Sequence, residues 1–295
     1  MFLRLCIIAA VLGAGVTQRL TWPDLARRPV AKPDATIAYG GDQMQKVDVW
    51  LPAGKGPFPV VLMVHGGCWQ TSIADRHLMN WIADDLRREG IAVWNIDYRG
   101  VDRTGGGYPG TFTDVAAASD RLASEAARFH LDTRRIVAVG HSAGGHLALW
   151  LAGRRRLPAG SALFRPAPLP IAHVVSLGGL PDLEDTAASP ENGCGTAVVG
   201  RLVGSGRADP FADTSVTRLL PLGVPQDLVN GREDNIIPYR MATAYVAKAQ
   251  AAGDTAVLHT VADTGHVELI APQTKAWDEA KALIRAALGR PPSKP

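Results

Sequence analysis

A serine flanked by glycines lies where the sequence changes from a strand pattern to a helix pattern. Residues 140–144 read Gly-His-Ser-Ala-Gly, after the apolar run Arg135–Val139 and at the start of the helical pattern Ala143–Arg154. A serine hydroxyl is a weak nucleophile, so it must be held exposed beside a base and hydrogen-bond donors. A sharp strand-to-helix turn meets this need, and the glycines allow strand and helix to approach closely. We therefore predict that Ser142 is the nucleophile of an acyl transfer.

A carboxylate that could orient a base follows a later apolar run. With a serine on such a turn, the acid and then the histidine follow along the chain. Asp234 comes after the predicted strand Pro225–Asn230 and before the predicted helix Pro238–Ala252. Glu233 is a rival for the same role, and a carboxylate that only caps this turn is the structural alternative. Asp234 is the predicted acid.

The predicted base follows the last strand pattern. Residues 262–266 read Ala-Asp-Thr-Gly-His behind the predicted strand Ala256–Val261, and Gly265 allows the chain to turn sharply. Of the eight histidines, His266 alone occupies this position. His259 lies inside the strand pattern, and His146 lies one helical turn beyond Ser142, where a packing role is expected. We predict that His266 is the general base.

Adjacent glycines after an earlier strand could supply backbone donors. Residues 65–69 read His-Gly-Gly-Cys-Trp after the predicted strand Pro59–Val64. Two N–H groups aimed at one point can stabilise the negative charge that develops on a carbonyl oxygen during acyl transfer. We predict an oxyanion hole formed by Gly67, supported by Gly66, together with the amide of Ala143. The alternative is an ordinary strand-end turn.

Three aromatic residues are predicted to line a small apolar substrate pocket. Trp69 directly follows the glycines, and Tyr108 and Phe112 lie in or beside a glycine-rich loop at the predicted carboxyl edge of the sheet. Their rings give wide apolar contact, which suits an ester or an aromatic acyl group. The alternative for Trp69 is that its ring packs into the core. Residues 105–110 match a dinucleotide-binding glycine pattern, but no strand directly precedes them, so a loop is favoured.

Apolar runs alternate with helical patterns along most of the chain. Several of the runs are continuous Val, Ile and Leu, which is typical of parallel strands covered on both faces. The alternation predicts an α/β fold, a doubly wound and mostly parallel sheet with helices on both faces, over residues 35–289. Residues 180–220 break the rhythm, and they are interpreted as a possible small lid or as a long surface excursion. Seven strands and five helices are predicted: Lys46–Leu51, Pro59–Val64, Ile91–Asp97, Arg135–Val139, His173–Leu177, Pro225–Asn230 and Ala256–Val261; Ala74–Arg88, Thr113–His130, Ala143–Arg154, Pro238–Ala252 and Pro272–Leu288.

Composition narrows the class of protein. The 295 residues are 46% hydrophobic and 20% charged, which indicates a globular chain rather than a disordered one. The formal net charge of +3 is small and the basic residues are scattered, so nucleic acid is not an expected partner. No cluster has the spacing of a metal site, and no metal or organic cofactor is expected. A small-molecule ester is the expected partner, and the sequence does not indicate an oligomeric state.

The first residues resemble an export signal. A basic residue at position 4 precedes the apolar or small run Leu5–Val16. Residues 1–17 are therefore predicted to be a signal peptide, and the protein to be secreted or periplasmic; the alternative is a buried N-terminal element in a cytoplasmic protein. The run is too short to span a bilayer comfortably, and no other stretch is predicted to do so. Residues 17–34 read as a polar lead-in rather than a folded element.

The cysteines leave two possibilities open. Cys6 lies in the predicted signal peptide, so Cys68 and Cys194 would remain in an exported chain. An oxidising compartment permits a disulfide between them, whereas two buried thiols are the alternative.

These segments together resemble the α/β-hydrolase superfamily. The similarity is strongest to its esterases with a His-Gly-Gly-x-Trp motif, which include hormone-sensitive-lipase-like and feruloyl-esterase-like enzymes and kynurenine formamidases. The resemblance implies a Ser142–His266–Asp234 triad that hydrolyses a carboxylic ester of a small or aromatic acyl group. Formamidases often have an aromatic residue where this chain has Cys68, which weakens that assignment. The alternatives are an arylformamidase, a small serine peptidase and a non-catalytic binding protein.

Overall fold

The computed structural model describes residues 19–289 and places them around one mixed sheet. Eight strands are present in this range, in the order β1-β2-β4-β3-β5-β6-β7-β8. Strand β2 pairs antiparallel with β1 and β4, and all other neighbours are parallel. The strands are β1 (Ala35–Ala38), β2 (Lys46–Trp50), β3 (Phe58–Val64), β4 (Ala92–Ile96), β5 (Leu131–His141), β6 (His173–Leu177), β7 (Gln226–Gly231) and β8 (Ala256–Val261).

Helices cover both faces of the sheet, which confirms the predicted doubly wound class. The helices are α1 (Trp22–Ala26), α2 (Asn80–Arg88), α3 (Gly110–Glu125), α4 (Ala143–Gly153), α5 (Leu183–Ala188), α6 (Ala197–Val203), α7 (Tyr239–Ala251) and α8 (Lys275–Gly289). Apolar residues of α3, α4 and α7 join one buried cluster, and those of α1, α2 and α8 join the other. Between residues 19 and 289, no helix has both the length and the apolar character needed to cross a bilayer.

Successive residues of the central strands alternate between these two clusters. Leu62 and Val64 of β3 pack with one cluster, whereas Val61 and Met63 pack with the other, and all four side chains are fully buried. A strand buried on both faces needs apolar residues at every position. This is why the central strands were recognisable as uninterrupted Val, Ile and Leu runs.

The segment before residue 35 differs from the predicted polar lead-in. It contains helix α1, whose first turn is stabilised by reciprocal contacts: Asp24 N–H donates to Thr21 Oγ1 (3.4 Å), and Thr21 N–H donates to Asp24 Oδ2 (2.8 Å). This Thr-x-x-Asp capping box fixes the start of the helix. Leu25 is 1% exposed and belongs to the cluster that includes α2 and α8. The ordered fold therefore begins before residue 35. The predicted signal peptide, residues 1–17, lies outside the described residues.

Residues 180–220 form part of the packed structure. They contain α5, α6 and a 3₁₀ turn at Val216–Leu219, and buried side chains such as Leu183 and Leu202 join the cluster of α3 and α4. The sequence pattern was weak here because the helices are short and separated by Gly, Pro and Ser.

The junction between β5 and α4 leaves no room for side chains at its glycines. A Cβ added at Gly144 would lie 2.2 Å from the carbonyl oxygen of Val64, and one at Gly140 would lie 2.0 Å from that of Gly144. Both contacts involve backbone atoms, so neither can be relieved by rotating a side chain. The first turn of α4 therefore packs directly against the end of β3.

We expect Gly144→Ala to lower the free energy of unfolding by at least about 3 kcal/mol, because the added methyl group forces strand and helix apart. The matched control is Gly200→Ala in α6, where an added Cβ has nothing within 4 Å. That control should gain up to about 1 kcal/mol from helix propensity. Urea denaturation of both variants measures the difference, and a Gly144→Ala variant as stable as the wild type would contradict the packing argument.

Candidate active site

The predicted catalytic residues lie at one edge of the sheet. Ser142 follows β5, Gly66 and Gly67 follow β3, Asp234 follows β7 and His266 follows β8. These four strands are parallel, so their carboxyl ends meet at the same edge. Residues separated by up to 200 positions in sequence are thereby brought together.

Ser142 occupies the sharp turn between β5 and α4. Its φ of 54° and ψ of −123° place it in a conformation that L-residues rarely adopt. It is 3% exposed and immediately precedes the first residue of the helix. The amide of Ala143 belongs to the first helical turn, so it has no partner within the helix. A hydroxyl and a free backbone donor therefore lie side by side.

The acid and the base form a direct buried pair. His266 Nδ1 lies 2.6 Å from Asp234 Oδ2, and the two residues are 4% and 7% exposed. The other carboxylate oxygen accepts hydrogen bonds from the amides of Ile236 (2.9 Å) and Ile237 (2.8 Å). These contacts fix the carboxylate and favour the tautomer of His266 with its proton on Nδ1.

The opposite nitrogen of His266 is available for a reacting group. Within residues 19–289, His266 Nε2 has no hydrogen-bond partner, and both His266 and Ser142 line the same cavity. The rival acid, Glu233, instead accepts a hydrogen bond from the amide of Thr264 (3.0 Å). Asp234, rather than Glu233, therefore contacts the histidine.

The loop after β3 lies against Ser142. A Cβ added at Gly66 would lie 3.0 Å from Ser142 Cβ, and Gly67 has a φ of +100°, which favours glycine. The amide of Gly67 donates to no other group in residues 19–289. His65 holds the loop, because its ring nitrogens contact the Gly66 carbonyl oxygen (2.7 Å) and Asp97 Oδ1 (3.0 Å). Both predicted glycines thus lie beside the serine.

A disulfide connects this loop to the segment 180–220. Cys68 and Cys194 are bonded, with a Cα–Cα distance of 5.2 Å and a sequence separation of 126 residues. Of the two possibilities left open by the sequence, the pair is therefore the one present. Cys68 and Gly193 both line the cavity of Ser142, so the bond joins two parts of its wall.

A second histidine, His141, packs against the base. The ring centroids of His141 and His266 are 4.4 Å apart, and His141 Nε2 lies 3.2 Å from the His266 carbonyl oxygen. The pKa of His141 lies well below its usual value, mainly because the ring is buried and to a smaller extent because His266 is close by. A neutral His141 therefore donates its Nε2 proton to that carbonyl oxygen, which helps to orient the loop of His266.

An apolar cavity of about 420 Å³ opens beside Ser142. No Asp, Glu, Lys or Arg contributes to its wall among the described residues. Such a site suits an uncharged apolar group better than a charged one. The wall consists of Trp22, Leu25, Ala26, Gly67, Cys68, Ile73, Ala74, Leu78, Trp81, His141, Ser142, Gly193, Ile236 and His266.

The three aromatic residues predicted to line this pocket lie elsewhere. Trp69 is fully buried in the core, where its Nε1 donates to Nδ1 of His146 (3.2 Å). Burial lowers the pKa of His146 to about 4, so this ring is neutral and can accept that hydrogen bond. Cys68 and Trp69 both have a positive φ (52° and 55°), so the chain turns sharply after the glycines, and the indole lies in the core. The ring is held by a core partner instead of facing substrate.

Tyr108 and Phe112 are also displaced from the expected position. Phe112 is fully buried and packs edge-on against Trp150. Tyr108 donates to Asp213 Oδ2 (3.1 Å), and the guanidinium of Arg207 lies 3.6 Å from the centre of its ring. Tyr108 therefore contacts the segment 180–220, Phe112 packs between α3 and α4, and neither belongs to the cavity wall.

Sequence reasoning missed the residues that form the aromatic wall. Trp22 comes from α1 and Trp81 from the start of α2. The Thr21-x-x-Asp24 capping box was the available signal for a helix at this place.

Glu268, two residues after His266, was also missed by the sequence analysis. Its side chain is 6% exposed and accepts hydrogen bonds from the amides of Gly265 and Leu20.

No group of His, Cys, Asp or Glu side chains in residues 19–289 is arranged to hold a metal ion. The polar groups that converge at this site are instead a hydroxyl, an imidazole–carboxylate pair and backbone amides. These are the groups that acyl transfer through a serine requires.

Comparison with known proteins gives one family and several partial relatives. The sequence model of the BD-FAE family matches residues 47–248. A probable isoprenylcysteine alpha-carbonyl methylesterase of Arabidopsis thaliana is 31% identical over 114 residues, which is 38% of this chain and 23% of that protein. Carboxylesterase NlhH of Mycobacterium tuberculosis is 32% identical over 120 residues, 40% of this chain and 37% of that protein. Kynurenine formamidase of Danio rerio is 27% identical over 122 residues, 41% and 39% of the respective lengths. The matched segments therefore span less than half of these relatives.

Solved structures resemble the chain over most of its length. A truncated carbohydrate esterase from gut microbiota superposes with a TM-score of 0.72 at 19% identity, covering 88% of this chain and 98% of that one. A bacterial heroin esterase superposes with a TM-score of 0.69 at 24% identity, covering 87% and 84%. At these identities the likeness concerns the fold, and it confirms the predicted α/β-hydrolase fold.

Proposed function

The chain belongs to the BD-FAE family of α/β-hydrolases, and from this premise we propose that it is a serine hydrolase of carboxylic esters. The observation that carries the proposal is the buried Asp234–His266 pair: the Nε2 atom of His266 makes no hydrogen bond within residues 19–289, and His266 lines the same cavity as Ser142. The carboxylesterases among the relatives support the reaction class.

The mechanism we infer is a two-step acyl transfer. His266 removes the proton of Ser142 as its oxygen attacks the carbonyl carbon, and Asp234 stabilises the imidazolium that forms. The amides of Gly67 and Ala143, with Gly66 beside them, bind the oxyanion. His266 then protonates the leaving alcohol, and water releases the acid from the acyl-enzyme in the same way.

The apolar wall of the cavity fits a small, uncharged acyl group. The segment that follows the oxyanion loop contributes Ile73, Ala74 and Leu78 to the cavity. These side chains offer dispersion and hydrophobic contact but no partner for a charged acid. The proposed substrate is therefore an ester of a small or aromatic acid without a second charge.

We expect Ser142→Ala to fold normally and to lose at least about three orders of magnitude in kcat/KM for p-nitrophenyl acetate, because no nucleophile remains. A fluorophosphonate probe should label the wild-type protein at Ser142 and leave the variant unlabelled. Peptide mapping by mass spectrometry locates the label. Modification of another serine, with hydrolysis retained in Ser142→Ala, would overturn the assignment.

A panel of substrates distinguishes an esterase from an arylformamidase. The arylformamidase is the second candidate because of the similarity to the kynurenine formamidase of Danio rerio. We expect kcat/KM to be higher for p-nitrophenyl acetate and butyrate than for the octanoate, and higher for these esters than for N-formylkynurenine. Leu78→Ala should enlarge the cavity and shift the chain-length preference toward the octanoate. Wild-type preference for the octanoate would contradict the small pocket, and preference for N-formylkynurenine would favour an arylformamidase.

Export is the proposed route of this protein, with residues 1–17 as its signal. The Cys68–Cys194 pair supports this, because disulfides persist in oxidising compartments. Mass spectrometry of protein recovered from its native cell should then find a new N-terminus near residue 18, which leaves Arg19 and the following residues in the mature chain. An intact Met1 in the cytoplasmic fraction would contradict export.

A further inference from the structure

Residues 19–28, here called the N-terminal arm, are tied to both loops that carry the proposed acid and base. Arg19 Nη1 donates to the carbonyl oxygen of Glu233 (2.8 Å), next to Asp234. The amide of Leu20 donates to one oxygen of Glu268, and the other accepts from the amide of Gly265 (3.1 Å), next to His266. One buried carboxylate thus bridges the arm and the loop of the base.

The other end of the arm is fixed as firmly. Leu25 is 1% exposed in the cluster of α2 and α8. Arg28 Nη1 donates to the carbonyl oxygen of Pro272 (2.7 Å), and Trp81 Nε1 donates to the carbonyl oxygen of Arg28 (3.3 Å). With contacts at both ends and a capped helix between them, the position of Trp22 is well defined.

The side chain of Trp22 faces the catalytic histidine. Its ring centroid lies 6.3 Å from that of His266 and 6.2 Å from that of His141, both in edge-on arrangements. Although the arm is anchored, Trp22 remains 38% exposed and lines the cavity of Ser142. An indole surface is therefore presented to whatever occupies the space beside His266.

The chemistry of the reaction identifies that occupant. A general acid must lie within hydrogen-bond reach of the oxygen that it protonates, so the leaving alcohol of an ester lies beside His266. We propose that Trp22 is a specificity-determining residue for this alcohol, and that the site prefers esters of uncharged aromatic alcohols. The inference rests on the proposed function, and it assigns the alcohol side of the substrate to the N-terminal arm.

Matched acetate esters test this assignment. Benzyl acetate and methyl acetate form the same acetyl-enzyme, so the ratio of their kcat/KM values reports recognition of the alcohol alone. We expect Trp22→Ala to lower the benzyl-to-methyl ratio about fivefold relative to the wild type, which is the effect of one lost aromatic contact. Trp22→Phe, which keeps a ring, should retain most of the ratio. An unchanged ratio in Trp22→Ala would overturn the proposal.

An acyl series separates alcohol recognition from a general disturbance of the site. The butyrate-to-acetate ratio for p-nitrophenyl esters should stay within about twofold of the wild type in Trp22→Ala, since both esters share one alcohol. An acyl ratio that moves as much as the alcohol ratio would contradict the assignment. The surface variant Tyr239→Ala, at an exposed aromatic residue outside the cavity wall, is the matched control.

Failure of the proposed function gives a different result. A wild-type protein that hydrolyses none of these esters and takes no fluorophosphonate label at Ser142 would overturn both proposals. Normal ester hydrolysis with an alcohol ratio that is insensitive to Trp22 would overturn this one alone.

Discussion

The close contact between the first turn of α4 and the end of β3 is the constraint on which the site depends. Added Cβ atoms would meet backbone at Gly140 and Gly144, and at Gly145 one would lie 2.5 Å from Ser176 Oγ. Because the helix begins so close to the strand, Ser142 must accept a positive φ of 54°. Such a conformation costs on the order of 1–3 kcal/mol, and the packing of the surrounding strand and helix offsets that cost.

Buried carboxylates then fix the loops around this turn. Asp234 is held by the amides of Ile236 and Ile237 as well as by His266, so its orientation does not depend on the histidine alone. Asp97 contacts His65 at 3.0 Å and Arg76 at 2.8 Å, and so connects the loop after β3 to the neighbouring strand end. Each loop is therefore anchored before a substrate binds, which is what preorganised catalysis needs.

The cavity wall comes from parts of the chain that are distant in sequence. The N-terminal arm supplies Trp22, the segment before α2 supplies Ile73 and Leu78, and the Cys68–Cys194 bond holds the far side. The neutral His141, which also lines the cavity, donates to the carbonyl oxygen of His266 and so connects the end of β5 to the loop of His266. A pocket assembled in this way can change its shape through surface segments while the sheet and the proposed catalytic residues stay in place.

The sequence by itself determined seven of the eight described strands, their order along the chain and the residues at the carboxyl edge of the sheet; the short strand β1 was not predicted. Continuous apolar runs report burial on both faces, and the glycines around Ser142 and at 66–67 report places where no side chain fits. Such patterns are local, so they can be read without the fold. Asp234 was already the predicted acid, and the tertiary structure adds its contact with His266, whereas the pairing of Cys68 with Cys194 was left open by the sequence and needed the tertiary structure.

Tertiary structure also decided which aromatic residues line the cavity beside Ser142. Trp69 stands next to Gly66 and Gly67, the proposed oxyanion glycines, yet its indole lies in the core, where His146 accepts its N–H. Trp22, 120 positions before Ser142 and outside the predicted domain, reaches the cavity instead. Proximity along the chain fixes where a backbone passes, but the direction of a side chain also depends on its rotamer and on partners contributed by distant elements. That is the physical reason why the proposed catalytic residues were predictable from the sequence and the wall of the pocket was not.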